Sequence, residues 1–516
     1  MKKQGLRGLR GSRGFPDMPR RGATPLRAFA LSVPSVARRK GLAHRRKDAE
    51  TRRRSDKNEQ HGPDHGAKPF PRKDPVNPVD PVKKQKKDSE NADTQTTSAD
   101  GAPSEGDNAH FAPFSLACLA GFVYQRTGRS TRGAVSRGRG GECASMRREI
   151  EACARGFQIL GDFIEASPYG NGHINDTYVL AFDQGGRPLR YILQRVNHEI
   201  FRDPPSLMDN VRRVTSHIQQ RLAAAGEREI SRKALTLIPA RDGKPYCRDD
   251  EGGFWRTYVF VERARTYEAI ETTEHAFEAA KAFGDFQNML TDLAGPRLTE
   301  TIPNFHNPRT RFEAFTSAVE ADVCNRAALA RREIDFFFDQ EPMTRVLADL
   351  QEKGAIPERI THNDTKLNNV LLDEDTGKGM CVIDLDTAMP GLALYDFGDM
   401  VRTATSPAEE DERDLSKVFM QMRMFEALVR GYLSTAGRFL NEAEVSHLAF
   451  SGKLITYVIG IRFLTDYLAG DTYFKVHREG HNLDRCRTQV KLIQSILEQE
   501  EEMNRVVGNE KDALGL

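Results

Sequence analysis

Residues 361–386 read THNDTKLNNVLLDEDTGKGMCVIDLD, a polar loop followed by two short apolar runs. Asp364 lies in the loop, and Asn369 follows it five positions later, where the first apolar run begins. Asp384 closes the second apolar run, about 20 residues after Asp364. Two short apolar runs joined by a turn-rich stretch predict a hairpin, which would bring Asp384 back beside Asn369.

These residue types at this spacing are suited to phosphoryl transfer. A carboxylate must accept the proton of the attacking hydroxyl, oxygen ligands must hold Mg²⁺ on the phosphates, and a cation neutralises nearby charge. The carboxylate would be Asp364, and the magnesium ligands would be Asn369 and Asp384. The cation would be Lys366. The pattern His-x-Asp-x-x-x-x-Asn followed by Ile-Asp matches the catalytic and metal loops of protein kinases. The alternative is a polar hairpin whose Asp and Asn residues only stabilise turns. His362 is interpreted as a packed loop residue rather than a base.

The N-terminal part of the chain differs from the rest in charge and patterning. The 516 residues carry a formal net charge of +2, but residues 1–146 hold about 30 basic against about 15 acidic side chains. Gly, Pro, Arg and Lys dominate residues 1–110 without a helical or strand period, so we expect a disordered extension over residues 1–145. Its meaning stays open between a tail for nucleic acid or an anionic surface, a transit peptide, and a segment outside the native protein, with translation starting at Met146.

Composition argues against several classes of protein. No run reaches the ~18 apolar residues that span a bilayer, so no membrane association is expected. The 7 cysteines are scattered and form no CxxC pair, which argues against a disulfide framework or zinc ribbon and predicts a cytoplasmic protein. Aromatic residues do not interleave with the basic ones, so no nucleic-acid partner is expected. No protein partner is predicted.

The ordered part has two regions of different character. Residues 156–265 contain several short strand-like runs and one long helical run, and residues 266–500 are mostly helical. The layout predicts an α+β fold with a small β-rich N-lobe and a larger helical C-lobe.

The strings HNDTKLNN, VIDLD and YDFGD resemble the aminoglycoside phosphotransferase and choline kinase superfamily. The longer string FLTDYLAGDTYFKVHREGHNLDRCRTQ resembles its N-acetylhexosamine 1-kinase branch, and the similarity covers roughly residues 156–498. The resemblance implies a protein-kinase-like two-lobed fold, with a nucleotide-binding N-lobe and a C-lobe that carries the catalytic loop and sugar site. It also implies ATP with Mg²⁺ and transfer to the anomeric hydroxyl of a sugar such as N-acetylglucosamine or N-acetylgalactosamine.

The resemblance assigns roles to the acidic residues. Asp364 would be the catalytic base, assisted by Lys366, and Asn369 and Asp384 would hold magnesium. Asp396 in YDFGD would brace the catalytic loop from a buried position, and Asp386 would neighbour the metal or the phosphates.

On the nucleotide side, Gly170 and Gly172 in YGNGHIN would let backbone amides approach the phosphates. The strand YILQRV should supply a cation, and either Gln194 or Arg195 occupies that place. Strand alternation puts the two on opposite faces, so the choice stays open. Backbone groups near Val261 would meet the adenine.

On the acceptor side, Arg462 and Asp466 lie four positions apart and should share one helix face. The resemblance favours Arg462 and Tyr473 as sugar contacts. His306 is either a sugar contact or part of a helix N-cap.

Two other functions remain as alternatives. One is a kinase of another small alcohol, such as an aminoglycoside, choline or a homoserine-like compound, and the other is a non-catalytic binding protein. An Arg- and His-rich C-terminal loop disfavours a cationic acceptor, and intact Asp364, Asn369 and Asp384 disfavour a non-catalytic protein.

Overall fold

A computed structural model describes residues 139–170, 174–267 and 270–516, with side chains from Arg147 onward. The predicted extension over residues 1–145 lies outside this range, apart from residues 139–145. Those residues begin the first helix, α1 (Arg139–Arg155), so Met146 lies inside a helix rather than at its start.

The small lobe is built on one antiparallel sheet. The strands are β1 (Asp162–Pro168), β2 (Asp176–Asp183), β3 (Pro188–Val196), β4 (Leu237–Ile238), β5 (Cys247–Arg248) and β6 (Phe254–Val259). Their order in the sheet is β1-β2-β3-β6-β4, and β5 also pairs with β6. The lobe also contains helices α2 (Pro204–Ala224) and α3 (Ile230–Lys233).

The two faces of this sheet are covered by different helices. Leu180, Phe182 and Leu193 pack in one apolar cluster with residues of α1. Val196 and Tyr258 pack in another cluster with the apolar side of α2. Because side chains alternate along a strand, consecutive residues of β3 and of β6 point to opposite faces of the sheet, one covered by α1 and the other by α2. This alternation decides which polar side chains face the large lobe.

The large lobe is helical, as predicted. Its helices are α4 (Thr273–Met289), α5 (Pro308–Ala321), α6 (Arg331–Asp339), α7 (Met343–Glu352), α8 (Ala393–Ala404), α9 (Met422–Ala436), α10 (Glu442–Val445), α11 (Leu448–Leu468) and α12 (His481–Leu514). The last helix continues beyond residue 500, where we expected the lobe to end.

Helix α11 is the core helix of the large lobe. By length and composition it could cross a membrane, but 83% of its most apolar window is buried inside the protein. It packs closely on α8 at Gly398, where an added Cβ would lie 2.4 Å from the Ser451 carbonyl oxygen. Only glycine allows the two helices to approach this closely. Their contact fixes the position of α8, which supports the catalytic loop.

Short strands carry the loops between the helices. They are β7 (Ala264–Arg265), β8 (Arg359–Thr361), β9 (Val370–Asp373), β10 (Gly379–Val382) and β11 (Met389–Gly391). Strands β9 and β10 form the predicted antiparallel hairpin, and β8 pairs with β11. The Ile383 amide donates to the Asn369 carbonyl at 2.9 Å, so the hairpin does return Asp384 to the start of β9. The molecule is thus the α+β, two-lobed protein expected from the sequence.

Candidate active site

The loop between β8 and β9 places three predicted side chains in contact. Asn369 Nδ2 lies 3.0 Å from Asp364 Oδ2 and 2.8 Å from the Asp364 carbonyl oxygen. Lys366 Nζ lies 3.0 Å from Asp364 Oδ1. The amide of Asn369 therefore fixes one carboxylate oxygen, and the ammonium of Lys366 faces the other.

This arrangement keeps Asp364 ionised. Burial is the largest single influence and opposes ionisation, but the Lys366 charge and the hydrogen bonds of Lys366 and Asn369 act together in the other direction. The pKa of Asp364 falls to about 2. In turn, the Asp364 charge raises the pKa of Lys366. Asp364 is consequently a carboxylate at any physiological pH, in the form that can accept a proton.

Asp384 stands at the end of β10 in a left-handed conformation, with φ of 60°. Among the described residues it makes neither a side-chain hydrogen bond nor an ion pair. Burial, together with the negative charges of Asp386 and Asp364, raises the pKa of Asp384 to about 6. A carboxylate without a partner beside two other carboxylates is a site of uncompensated negative charge.

This charge and the donor atoms fit a magnesium ion. Mg²⁺ prefers oxygen ligands and is commonly bound by one or two carboxylates together with substrate phosphates. Asp384 offers a free carboxylate, and Asn369, whose Nδ2 is used by Asp364, offers its amide oxygen. Within the described ranges, no three His, Cys, Asp or Glu side chains are grouped closely enough to hold a metal. The protein ligands would therefore act together with phosphate oxygens.

Asp396 of α8 holds the catalytic loop by hydrogen bonds to its backbone. Its carboxylate is buried and accepts hydrogen bonds from the amides of His362 at 2.8 Å and Asn363 at 2.7 Å. It also accepts one from Gln287 Nε2 at 2.6 Å. Burial raises the pKa of Asp396 to about 6, although these donors oppose the shift. Asp396 has the bracing position that the resemblance implied.

His362 is part of the same support. Its Nε2 lies 2.8 Å from the Ile383 carbonyl, and its Nδ1 accepts from the Asp364 amide at 3.3 Å. Its ring packs against Phe283 and Phe286. An imidazole that donates from one nitrogen and accepts at the other is neutral, so His362 links the catalytic loop to the metal loop and is not a base.

The choice between Gln194 and Arg195 is decided by the two faces of β3. Arg195 points away from the large lobe and lies 3.7 Å from Asp249, with its guanidinium 5.8 Å from the Trp255 ring. Arg195 is therefore wrong as the cation of the site. Gln194 points to the opposite face, where its amide oxygen accepts from Arg256 Nε at 2.9 Å.

Arg256 is a buried cation beside Gln194 that the sequence analysis missed. It is 1% exposed, although it lies in an apolar strand, and its guanidinium pairs with the carboxylate of Asp386. Asn175 Nδ2 contacts the same carboxylate at 2.6 Å. Two small-lobe residues thus bind one acidic residue of the large lobe. A lone arginine within WRTYVFV was the available signal, because a buried charge needs a partner.

The other predicted nucleotide contacts are described only in part. Gly170 has φ of 73° and open space where a Cβ would lie, which suits a turn after β1. Gly172 lies outside the described residues. Val261 is buried just after β6, at the connection between the lobes.

The acceptor side contains the predicted Arg462 and Tyr473. The Arg462 guanidinium lies 4.8 Å from the ring of Phe305, 5.4 Å from that of Phe474 and 5.7 Å from that of Tyr473. Tyr473 is 55% exposed and so remains available to a ligand. The arginine lies among aromatic rings, and we call this group the aromatic cluster.

Asp466 does not share this site, and its prediction as a substrate residue is wrong. Its carboxylate accepts hydrogen bonds from the amides of Thr472, Tyr473 and Phe474 at 2.8 to 2.9 Å. Asn482 donates to it as well, at 2.9 Å. These four donors saturate Asp466, which anchors the loop that carries Tyr473.

His306 is also a support rather than a substrate contact. It is buried, and its Nε2 lies 2.8 Å from the Asn363 carbonyl of the catalytic loop. Burial lowers the pKa of His306 to about 4, which keeps the ring neutral. The N-cap alternative belongs to its neighbour Asn307, which accepts from the Thr310 amide at the start of α5.

The protein class follows from this fold and this group of residues. Residues 165–438 match the family described as "Phosphotransferase enzyme family". The chain belongs to that family, and it is a phosphotransferase that acts on a hydroxyl acceptor. Enzymes of the family use ATP and Mg²⁺, which agrees with the donor groups around Asp384.

Solved structures of similar proteins include a microcompartment-associated aminopropanol kinase, 16% identical over 69% of this chain and 98% of that one, with a TM-score of 0.43. A choline kinase from Cryptosporidium parvum is 14% identical over 68% and 94% of the two chains, with a TM-score of 0.43. A spectinomycin phosphotransferase in complex with ADP and spectinomycin is 13% identical over 66% and 94%, with a TM-score of 0.37.

Proposed function

We propose that this phosphotransferase transfers the γ-phosphate of ATP to the anomeric hydroxyl of an N-acetylhexosamine, giving the sugar 1-phosphate and ADP. The sequence string over residues 463–489 supports this acceptor class through its resemblance to hexosamine kinases. The structural observation that carries the proposal is the position of Arg462 within the aromatic cluster.

A sugar is recognised by directional hydrogen bonds and by contact of its apolar faces with aromatic rings. Arg462 supplies hydrogen-bond donors, and the rings of Phe305, Phe474 and Tyr473 supply flat surfaces. A cationic acceptor would instead require free carboxylates. In the described part of this cluster, the nearby Asp466 is fully used by its four donors.

The residues of the catalytic loop account for the chemistry. Asp364 accepts the proton of the anomeric hydroxyl while the bond between that oxygen and the γ-phosphorus forms. The bond from the γ-phosphorus to the bridging oxygen breaks, and its electron pair leaves with ADP. Lys366 lies beside Asp364 and adds positive charge where the transferred group carries negative charge. Magnesium, when bound by Asn369 and Asp384, neutralises charge on the phosphates.

ADP release with a panel of acceptors tests the proposal. We expect release with N-acetylglucosamine or N-acetylgalactosamine, at rates well above those with choline, ethanolamine or an aminoglycoside. Phosphorus NMR should identify a 1-phosphate, and Asp364→Asn is the matched inactive control. ADP release with an amino alcohol alone would show that the protein is an amino-alcohol kinase instead. ADP release with none of these acceptors would favour a kinase of a different alcohol.

The cellular location is part of the proposal. ATP and free sugars occur together in the cytoplasm, and the described cysteines, Cys153, Cys247, Cys324, Cys381 and Cys486, form no disulfide among themselves. We expect a cytoplasmic enzyme on this basis.

A further inference from the structure

A second arginine lies beside Arg462. Arg311 of α5 donates from Nε to the Phe305 carbonyl at 3.1 Å, and Phe305 is the residue whose ring lies under Arg462. Both residues are half-buried, so each side chain is partly shielded from water and partly accessible. Both arginines thus contact Phe305, one through its carbonyl oxygen and the other through its ring.

Neither arginine forms an ion pair with a carboxylate in the part of the chain that the structure describes. Asp399, whose charge acts on Arg462 from a distance, is itself paired with Arg402, whose Nε lies 2.8 Å from it. Asp466, one helical turn after Arg462, is saturated by its loop donors. The protein therefore leaves the pair of arginines without local neutralisation.

Partly buried charges without a counterion are unfavourable, and the two groups affect each other. Burial lowers the pKa of Arg311 to about 10, and the charge of Arg462 acts in the same direction. Burial likewise lowers the pKa of Arg462. Both shifts agree with a site whose counterion is supplied by something other than the protein.

We propose that Arg311 and Arg462 form a subsite for an anionic group, a carboxylate or a phosphate, carried by the sugar acceptor. Arginine binds either group through two parallel hydrogen bonds, and a neutral hydroxyl neutralises neither charge. This inference rests on the proposed function and narrows it to acidic derivatives of N-acetylhexosamines. Arg462 lies close enough to Asp399 and Arg402 for their charges to affect it, and Arg402 is near Asp364, so the subsite adjoins the catalytic loop.

The test compares sugars that differ in one group. N-acetylglucosamine is the neutral reference, and N-acetylglucosaminuronic acid, N-acetylglucosamine 6-phosphate and N-acetylmuramic acid carry a carboxylate or phosphate with a free anomeric hydroxyl. We expect at least one acidic sugar to exceed the neutral one in kcat/KM by about 10- to 100-fold, the range for hydrogen bonds to charged groups. Comparison of the 6-phosphate with the two carboxylates identifies the preferred anion.

Variants and salt separate this role from a structural one. Arg311→Gln should abolish the preference, chiefly through KM of the acidic sugar, with a smaller loss for the neutral sugar because Arg311 also holds the Phe305 carbonyl. Arg311→Lys should restore part of the preference. Arg309→Gln is the matched control, because Arg309 lies on the same helix but pairs with Asp349 and Glu352 at the surface. In the wild type, the preference should shrink as salt is raised.

The outcomes are distinct. Equal or better use of the neutral sugar, or an equal loss for both sugars in Arg311→Gln, would overturn the subsite and leave the hexosamine kinase proposal standing. Absence of ADP release with every hexosamine would overturn the proposed function itself. If Arg311→Gln does not fold, the wild-type ratio of acidic to neutral sugar still decides the question.

Discussion

The guanidinium of Arg256 on β6 is paired with the carboxylate of Asp386 in the large lobe, and both side chains are almost fully buried. Gln194 holds the guanidinium from β3, and Asn175 holds the carboxylate from the start of β2. In protein kinases a lysine on the third strand pairs with a glutamate of the small lobe. In this chain a buried pair across the two lobes connects the sheet directly to the metal loop.

Replacing one or both members of this pair should affect stability and activity differently. Arg256→Met leaves Asp386 buried without a cationic partner and should lower the free energy of unfolding by about 3–5 kcal/mol. The double variant Arg256→Met/Asp386→Leu removes both charges and should recover most of that stability. Its ADP release should remain low, because the link between sheet and metal loop is lost. Thermal unfolding and kcat/KM for ATP measure the two effects, and full activity in the double variant would contradict the assignment.

Asp364→Asn tests the base. The side chain keeps its shape and can still contact Asn369, so the unfolding temperature should change little. Loss of the proton acceptor should lower kcat by at least about 10²- to 10⁴-fold. Binding of ADP, followed by thermal shift, is the control for an intact nucleotide site. Turnover near the wild-type value would show that another group takes the proton.

Asp384 predicts a pH dependence of metal binding. Its pKa is raised to about 6, so protons compete with Mg²⁺ as the pH falls through that value. Simple protonation makes magnesium binding about fourfold weaker at pH 5.5 than at pH 7.5. The stabilisation of the ADP-bound protein by Mg²⁺, measured by thermal unfolding across this range and compared with that of Asp384→Asn, gives the binding curve. Asp384→Asn should remove both the stabilisation and its pH dependence.

Gly398→Ala tests the packing that supports the catalytic loop. The new Cβ would lie 2.4 Å from the Ser451 carbonyl and 2.7 Å from Ile455 Cγ1, so α8 must move away from α11. We expect a loss of about 1–3 kcal/mol in stability. Since α8 carries Asp396, kcat should fall with it. Gly354→Ala is a control for glycine replacement in general, because nothing lies near its Cβ position, although its φ of 70° adds some strain.

Asp466→Ala tests the anchor of residues 472–474, the loop that carries Tyr473. Removal of the carboxylate leaves the amides of residues 472–474 without their acceptor, at a cost of about 1–3 kcal/mol for each buried donor that finds no other partner. The loop should become mobile and displace Tyr473, which raises KM for the sugar more than it lowers kcat. An unchanged KM would mean that Tyr473 is not a sugar contact. KM for ATP is the internal control, since the loop lies on the acceptor side.

The sequence was most informative where chemistry depends on spacing along the chain. The offsets of Asp364, Asn369 and Asp384 predicted the hairpin and its three polar side chains, because a short loop and a tight turn fix such neighbours locally. The helical large lobe and the sheet lobe also followed from local patterns. The bracing position of Asp396 came from the family resemblance.

Other features depended on contacts between distant parts of the chain. Whether Gln194 or Arg195 faces the site, and that Arg256 meets Asp386, depend on how the sheet is oriented on the large lobe. Asp466 and Arg462 have the same helical spacing that a shared face requires, yet the carboxylate turns to the loop amides because a buried acceptor is stabilised by several donors. Arg311 and Arg462 are 151 positions apart, and packing alone brings them together. Local spacing determined which residues we predict to be catalytic, and only tertiary packing decided which charges are neutralised by the protein and which are left unpaired.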